Sequence, residues 1–98
     1  MIGATVTFSY TDDFDRSRIT KVADNARGVF EGMPGLRFKF FTFDEKKRQV
    51  VNFYVWDSKE AAEQFFTEEL RERVTGLYGV APVIEFVEIA AIVDNSAA

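Results

Sequence analysis

The sequence predicts an α+β domain: a four-stranded antiparallel sheet with helices packed on one face. Three observations carry this. Short segments at 4–10, 36–44 and 49–56 have the composition and alternation of strands. Apolar residues recur at spacings of three and four from Ile19 to Met33, and again from Ala61 to Leu77, as on one face of a helix. With a last apolar strand at 83–93, the order is β-α-β-β-α-β, the split β-α-β motif of ferredoxin-like folds. At 98 residues the chain is one domain, 1–98, without internal repeat or linker.

Each element has a local reason. "ATVTFSY" sets Val6, Phe8 and Tyr10 against Thr5, Thr7 and Ser9, a half-polar strand. "TDDFD" follows as a helix start, with Asp13 or Asp15 accepting from free backbone N–H groups. The helix runs to a left-handed stop expected at Gly32. Met33-Pro34-Gly35 is a turn, because proline fixes φ and glycine supplies a positive φ. "LRFKFFTFD" and "QVVNFYVW" form a hairpin around "EKKR". Asp57 is expected to cap the second helix, with Glu60 completing a capping box. A break in that helix is expected near Thr67, and Pro82 ends it. "VIEFVEIAAIV" reads as the last strand and 94–98 as a frayed tail.

Composition narrows the function classes. The net charge is −4 with a pI of about 4.8, which lacks the basic footprint of nucleic-acid or anionic-membrane binders. The basic run Lys46-Lys47-Arg48 reads as a hairpin tip. With no Cys and no His, disulfides, thiolate zinc sites, His-ligated haem and His-based triads are all excluded. No metal and no cofactor is expected. No 18-residue apolar run exists, and a cytoplasmic location with no membrane contact is expected. Eleven Phe in so short a chain imply a dense core, an interface or a ligand cavity, and hence a symmetric homodimer.

Hairpin register then sorts the side chains. A four-residue loop at 45–48 pairs Asp44 with Gln49, Phe43 with Val50, Phe41 with Asn52, Lys39 with Tyr54 and Arg37 with Trp56. One face is almost wholly apolar: Leu36, Phe38, Phe40, Thr42, Val51, Phe53 and Val55. The other mixes Arg37, Lys39, Phe41 and Phe43 with Asn52, Tyr54 and Trp56, and Thr5, Thr7 and Ser9 are expected to join it. Whether that face looks into a dimer barrel or towards the helices is open in the sequence. Asn52, Tyr54 and Trp56 form a row roughly 13 Å long. An amide, a phenol and an indole in line suit a flat organic ligand. The plain alternatives are that Trp56 packs, that Arg37 and Lys39 are solvated or bridge a dimer, and that Asn52 makes a structural hydrogen bond.

Two stretches carry a resemblance. "GMPGLRFKFFTF" is similar to a Pro-Gly turn into the second strand, and "YVWDSKEAAEQFF" to a strand ending in Trp before an acidic-Ser-x-Glu-Ala helix start. On these the sequence resembles the dimeric α+β barrel superfamily, in its antibiotic-biosynthesis-monooxygenase-like branch. The resemblance implies a homodimer with facing sheets and, in some members, cofactor-independent oxygenation of phenols or quinols by O2. It implies that Asn52 and Trp56, four residues apart on the third strand, belong to the site. The haem-degrading chemistry of other members needs a His and does not carry over. The tyrosine that quinol-forming members place after the Trp is unmatched, with Ala62 in its region.

The expected site is therefore Asn52, Tyr54 and Trp56 as catalytic residues, with Arg37, Lys39, Phe41 and Phe43 binding a hydrophobic or aromatic small molecule. Trp56 would orient the ring, Asn52 and Tyr54 would hold the oxyanion, and Arg37 would stabilise charge. The base would be a shifted carboxylate, Tyr54 or solvent. The alternative is a non-catalytic dimeric binding module of the same fold. An RNA-recognition domain is disfavoured, since "QVVNFYVW" lacks the glycines of that domain's third strand.

Overall fold

The computed structural model describes residues 1–12 and 14–96. Its elements are β1 (Ile2–Ser9), α1 (Arg16–Phe30), β2 (Leu36–Asp44), β3 (Gln49–Trp56), α2 (Lys59–Phe65), α3 (Glu68–Tyr78) and β4 (Val83–Glu88). The strands lie in the order β2-β3-β1-β4 with every pairing antiparallel. This is the ferredoxin-like arrangement expected, with three helices where the sequence led us to expect two.

The second helix breaks at Phe66 and Thr67, the first closing α2 and the second opening α3. Thr67 caps α3 by accepting from the Leu70 N–H at 3.2 Å. Ser58, not Asp57, caps α2, accepting from the Ala61 N–H at 3.2 Å. Asp57 instead pairs with Arg37. At α1 the cap is Asp15, which accepts from Arg18; Asp13 lies outside the described residues. The helix stops at Phe30, and Gly32 takes its left-handed conformation two residues later, in the turn. Gly35 has φ +83°, and a Cβ there would stand 2.8 Å from the Ala61 Cβ. Glycine is therefore required both by the turn and by the approach of α2. The last strand is shorter than expected, ending at Glu88.

The hairpin register holds from Asp44↔Gln49 to Phe38↔Val55. It then shifts, so that Leu36 rather than Arg37 faces Trp56. Arg37 is the extra residue of a bulge and leaves the sheet face. The partners of β1 also correct an expectation. Ala4, Val6 and Phe8 lie opposite Tyr54, Asn52 and Val50. They, not Thr5, Thr7 and Ser9, share the face of Asn52. Both sets alternate, but only the apolar set is buried, so burial selects it.

That face looks towards the helices. Ala4, Val6, Phe8, Val50, Tyr54 and Trp56 join Ile19, Ala62 and Tyr78 in one core. On the opposite face Phe38, Phe40 and Phe53 stack in a ladder, and Phe40 is 51% exposed. No helix among the described residues is long and apolar enough to cross a membrane.

Candidate active site

A cavity of about 160 Å³ lies between the sheet and the helices. Its sheet wall is Val6, Phe8, Lys39, Phe41, Asn52 and Tyr54, and its helix wall includes Phe30, Phe65, Val74 and Tyr78. A second cavity of about 150 Å³ lies beside it. Phe41, Asn52 and Tyr78 line both, so these three side chains form the partition.

Asn52 is the only buried polar side chain among the described residues that is not aromatic. Its Nδ2 donates to the Tyr78 hydroxyl at 3.1 Å, and its Oδ1 has no partner. Turning the amide over would leave the other atom orphaned, so one polar atom of Asn52 is unsatisfied in either orientation. An orphaned buried polar atom costs about 1–3 kcal/mol. A ligand hydroxyl beside the partition would relieve that cost.

Tyr78 has no counterpart in the sequence expectations. It is held three ways: its ring stacks on Phe8 at 3.9 Å, its carbonyl accepts from the Tyr10 hydroxyl at 2.7 Å, and the preceding carbonyl of Leu77 accepts from Arg18. The signal for it was Leu70, Val74 and Tyr78 at spacings of four, which put the phenol on the inner stripe of α3. Tyr78 supplies a phenol to the site from α3, where the resemblance looked for one on α2.

Lys39 and Tyr54 meet as the register required. The Lys39 Nζ donates to the Tyr54 hydroxyl at 2.7 Å. The ammonium position also lies 3.5 Å from the Phe30 ring centre and 4.2 Å from those of Phe41 and Tyr54. Burial pushes the Lys39 amine down to about 7. Burial, and then the nearby Tyr78, push the Tyr54 phenol up, so it stays protonated. Tyr78 is also raised by burial, against the opposing pull of its bond to Asn52.

The remaining expected residues are placed differently. Trp56 is 1% exposed and stacks on Tyr54 with ring centres 5.9 Å apart, the planes 9° from parallel. It stands behind Tyr54 and does not line the cavity; its indole N–H lacks a partner. Phe41 lines the cavity. Phe43 does not: it sits at the far end of β2, tilted against Phe14 and lining only the second cavity. Arg37, displaced by the bulge, is 3.6 Å from Asp57 and lines an outer cleft with Arg27, Glu31 and Lys39. No carboxylate lines the first cavity among the described residues, and no cluster of three metal-ligating side chains is found among them.

No protein-family model matches this chain, and no curated sequence is similar to it. Solved structures are. One is a monooxygenase from the gene ActVA-Orf6 of Streptomyces coelicolor, bound to the ligand nanaomycin D. It is 23% identical with a TM-score of 0.69, covering 97% of this chain and 92% of that one. SnoaB, a cofactor-independent oxygenase from Streptomyces nogalater, is 13% identical with a TM-score of 0.66, over 93% and 94% of the two chains. Rv0793 from Mycobacterium tuberculosis is 13% identical with a TM-score of 0.64, over 97% of each. The chain shares the fold of these three structures, a ferredoxin-like α+β domain.

Proposed function

We propose that this protein is a cofactor-independent monooxygenase that oxidises a small aromatic phenol or quinol with O2. The observation that carries the reading is the unsatisfied amide of Asn52, buried at the partition of a cavity walled by aromatic rings. With the amide turned over, Oδ1 accepts from the Tyr78 hydroxyl and Nδ2 is free to donate to a phenolic oxygen, which supplies the partner that the amide lacks. An apolar cavity of about 150 Å³ is known to accept benzene, so about 160 Å³ favours a one-ring substrate. A two-ring substrate fits if it crosses the partition into the second cavity.

The reaction needs no external electrons. Loss of the phenolic proton gives a phenolate, which passes one electron to O2. The resulting phenoxyl radical and superoxide combine at ring carbon, and the peroxide loses water to leave a quinone. One oxygen atom enters the product, the other leaves as water, and the ring supplies all four electrons. The side chains orient the ring and stabilise the oxyanion. Asn52, Tyr54 and Tyr78 are the neutral hydrogen-bonding side chains that line the cavity, beside Lys39 and Arg73. Trp56 acts through Tyr54 as a positioning residue, by stacking behind it.

The working form in this reading is a homodimer. Phe38, Phe40 and Phe53 make an apolar ladder on the sheet face that the chain's own helices leave uncovered. A second copy of the same face is the occupant that matches it.

Oxygen uptake with single-ring phenols, quinols and naphthols tests the function. Uptake that Asn52→Ala and Tyr78→Phe both diminish supports it. Tight binding without uptake identifies a binding module instead.

A further inference from the structure

We infer that Lys39 is the general base of this site, taking the phenolic proton directly from a substrate in the cavity between sheet and helices. The inference rests on the reading of that cavity as a phenol site. It names the group that the sequence left open among a carboxylate, Tyr54 and solvent.

Elimination supplies the first part of the argument. No carboxylate among the described residues lines the cavity. The Tyr54 and Tyr78 phenols are both pushed up by burial and hold their protons. Arg73, which lines the cavity from α3, carries hydrogen-bond donors only and no acceptor. Lys39 is the one side chain there able to take up a proton at neutral pH.

Position supplies the second part. The Lys39 Nζ is fixed by its bond to Tyr54 and by three ring faces. Lys39 lines the inner cavity and also the outer cleft with Arg27, Glu31 and Arg37. A base must be discharged after each turnover, and a side chain at this seam reaches both substrate and solvent.

The charges packed around it set its protonation. Glu31, just past the end of α1, is paired with Arg27 at 3.4 Å, and Arg37 on the β2 bulge with Asp57. No carboxylate among the described residues forms an ion pair with Lys39 itself. Arg73 from α3 lines the same cavity. Tyr54 from β3 and Tyr78 from α3 are neutral neighbours.

The step balances without a co-reactant. The substrate O–H bond breaks and its electron pair remains on oxygen as phenolate. The proton forms a new N–H bond at Nζ, and the ammonium so made stands beside the phenolate it created. Oxidation by O2 follows from that anion.

The test separates the base from the oxygenase reading. 1-Naphthol is bound anaerobically at pH 8, its ionised form is read by absorbance, and proton release is measured in buffers of different ionisation enthalpy. The bound wild-type complex is expected to hold about tenfold more naphtholate than free solution, equivalent to one pKa unit. It is also expected to release no proton, because the proton stays on Lys39. Lys39→Met is expected to abolish the naphtholate. Lys39→Arg, a permanent cation, is expected to keep it but to release a proton to the buffer. If Lys39→Met binds naphtholate as wild type does, or if wild type releases a proton as Lys39→Arg does, the inference is overturned. Lys39-dependent naphtholate without oxygen uptake upholds the base and removes the oxygenase. Uptake with unaltered ionisation in Lys39→Met does the reverse. A wild-type protein that binds no naphthol or phenol overturns both.

Discussion

Asn52 decides most at the scale of single residues. A strand disfavours asparagine, yet here it is 2% exposed and holds Tyr78 across the cavity. Tyr78→Phe leaves the Asn52 amide without its one partner, and a loss of about 1–3 kcal/mol is expected from urea unfolding. Asn52→Leu removes the orphan as well as the bond and is expected to cost less, while losing phenol binding. This contrast distinguishes a ligand site from a purely structural hydrogen bond. The sequence made Asn52 visible because strands disfavour asparagine, and Tyr54 only as the next member of its row. It did not place Trp56 behind Tyr54, because a row along a strand says nothing about which members reach a cavity. Tyr78 was hidden for a related reason: on an amphipathic helix, a tyrosine at the right spacing looks like core.

Lys39 and the tyrosines also give the fold a pH signature. Burial lowers the Lys39 amine from 10.5 to about 7 in the folded chain. Between those values the unfolded chain binds more protons, so stability rises with pH across that window. The buried Tyr54 has the opposite effect. Its pKa is raised above 10.0 on folding, so the unfolded chain loses its proton first, and stability falls as pH passes that value. A maximum between those limits is expected in urea midpoints, and Lys39→Met is expected to flatten its acidic side.

Among the elements, helix starts follow hydrogen bonds more closely than they follow charge. Asp57 and Glu60 looked like a capping pair, but Ser58 makes the bond and Asp57 turns to Arg37. Ser58→Ala is therefore expected to cost about 0.5–2 kcal/mol. Asp57→Ala, which loses an exposed ion pair, is expected to cost less than about 1 kcal/mol. The β2–β3 hairpin was legible because a one-residue slip would bury charge, and it held along most of its length. It failed only at the bulge, where Arg37 leaves the sheet. Periodicity cannot anticipate an inserted residue at a strand end, since both registers fit there.

At the scale of the molecule, the order of strands and helices was readable from patterning, and the two faces of the sheet have separate tasks. One covers the cavity. The other leaves Phe38, Phe40 and Phe53 to a second copy, in the proposed dimer. Phe40→Glu puts a charge in that ladder, and light scattering is expected to find monomer where wild type is a dimer. The dense aromatic content of so short a chain thus divides between the cavity and an exposed ladder on the opposite face, as composition alone hinted but did not apportion.

The most direct test is oxygen consumption by the purified protein with one-ring phenols, quinols and naphthols, beside Asn52→Ala and Lys39→Met. The expected result is uptake coupled to quinone formation, reduced about 10²–10⁴-fold when the base is removed, and reduced also by loss of the amide. Folded wild-type protein that binds these compounds and consumes no oxygen would contradict it.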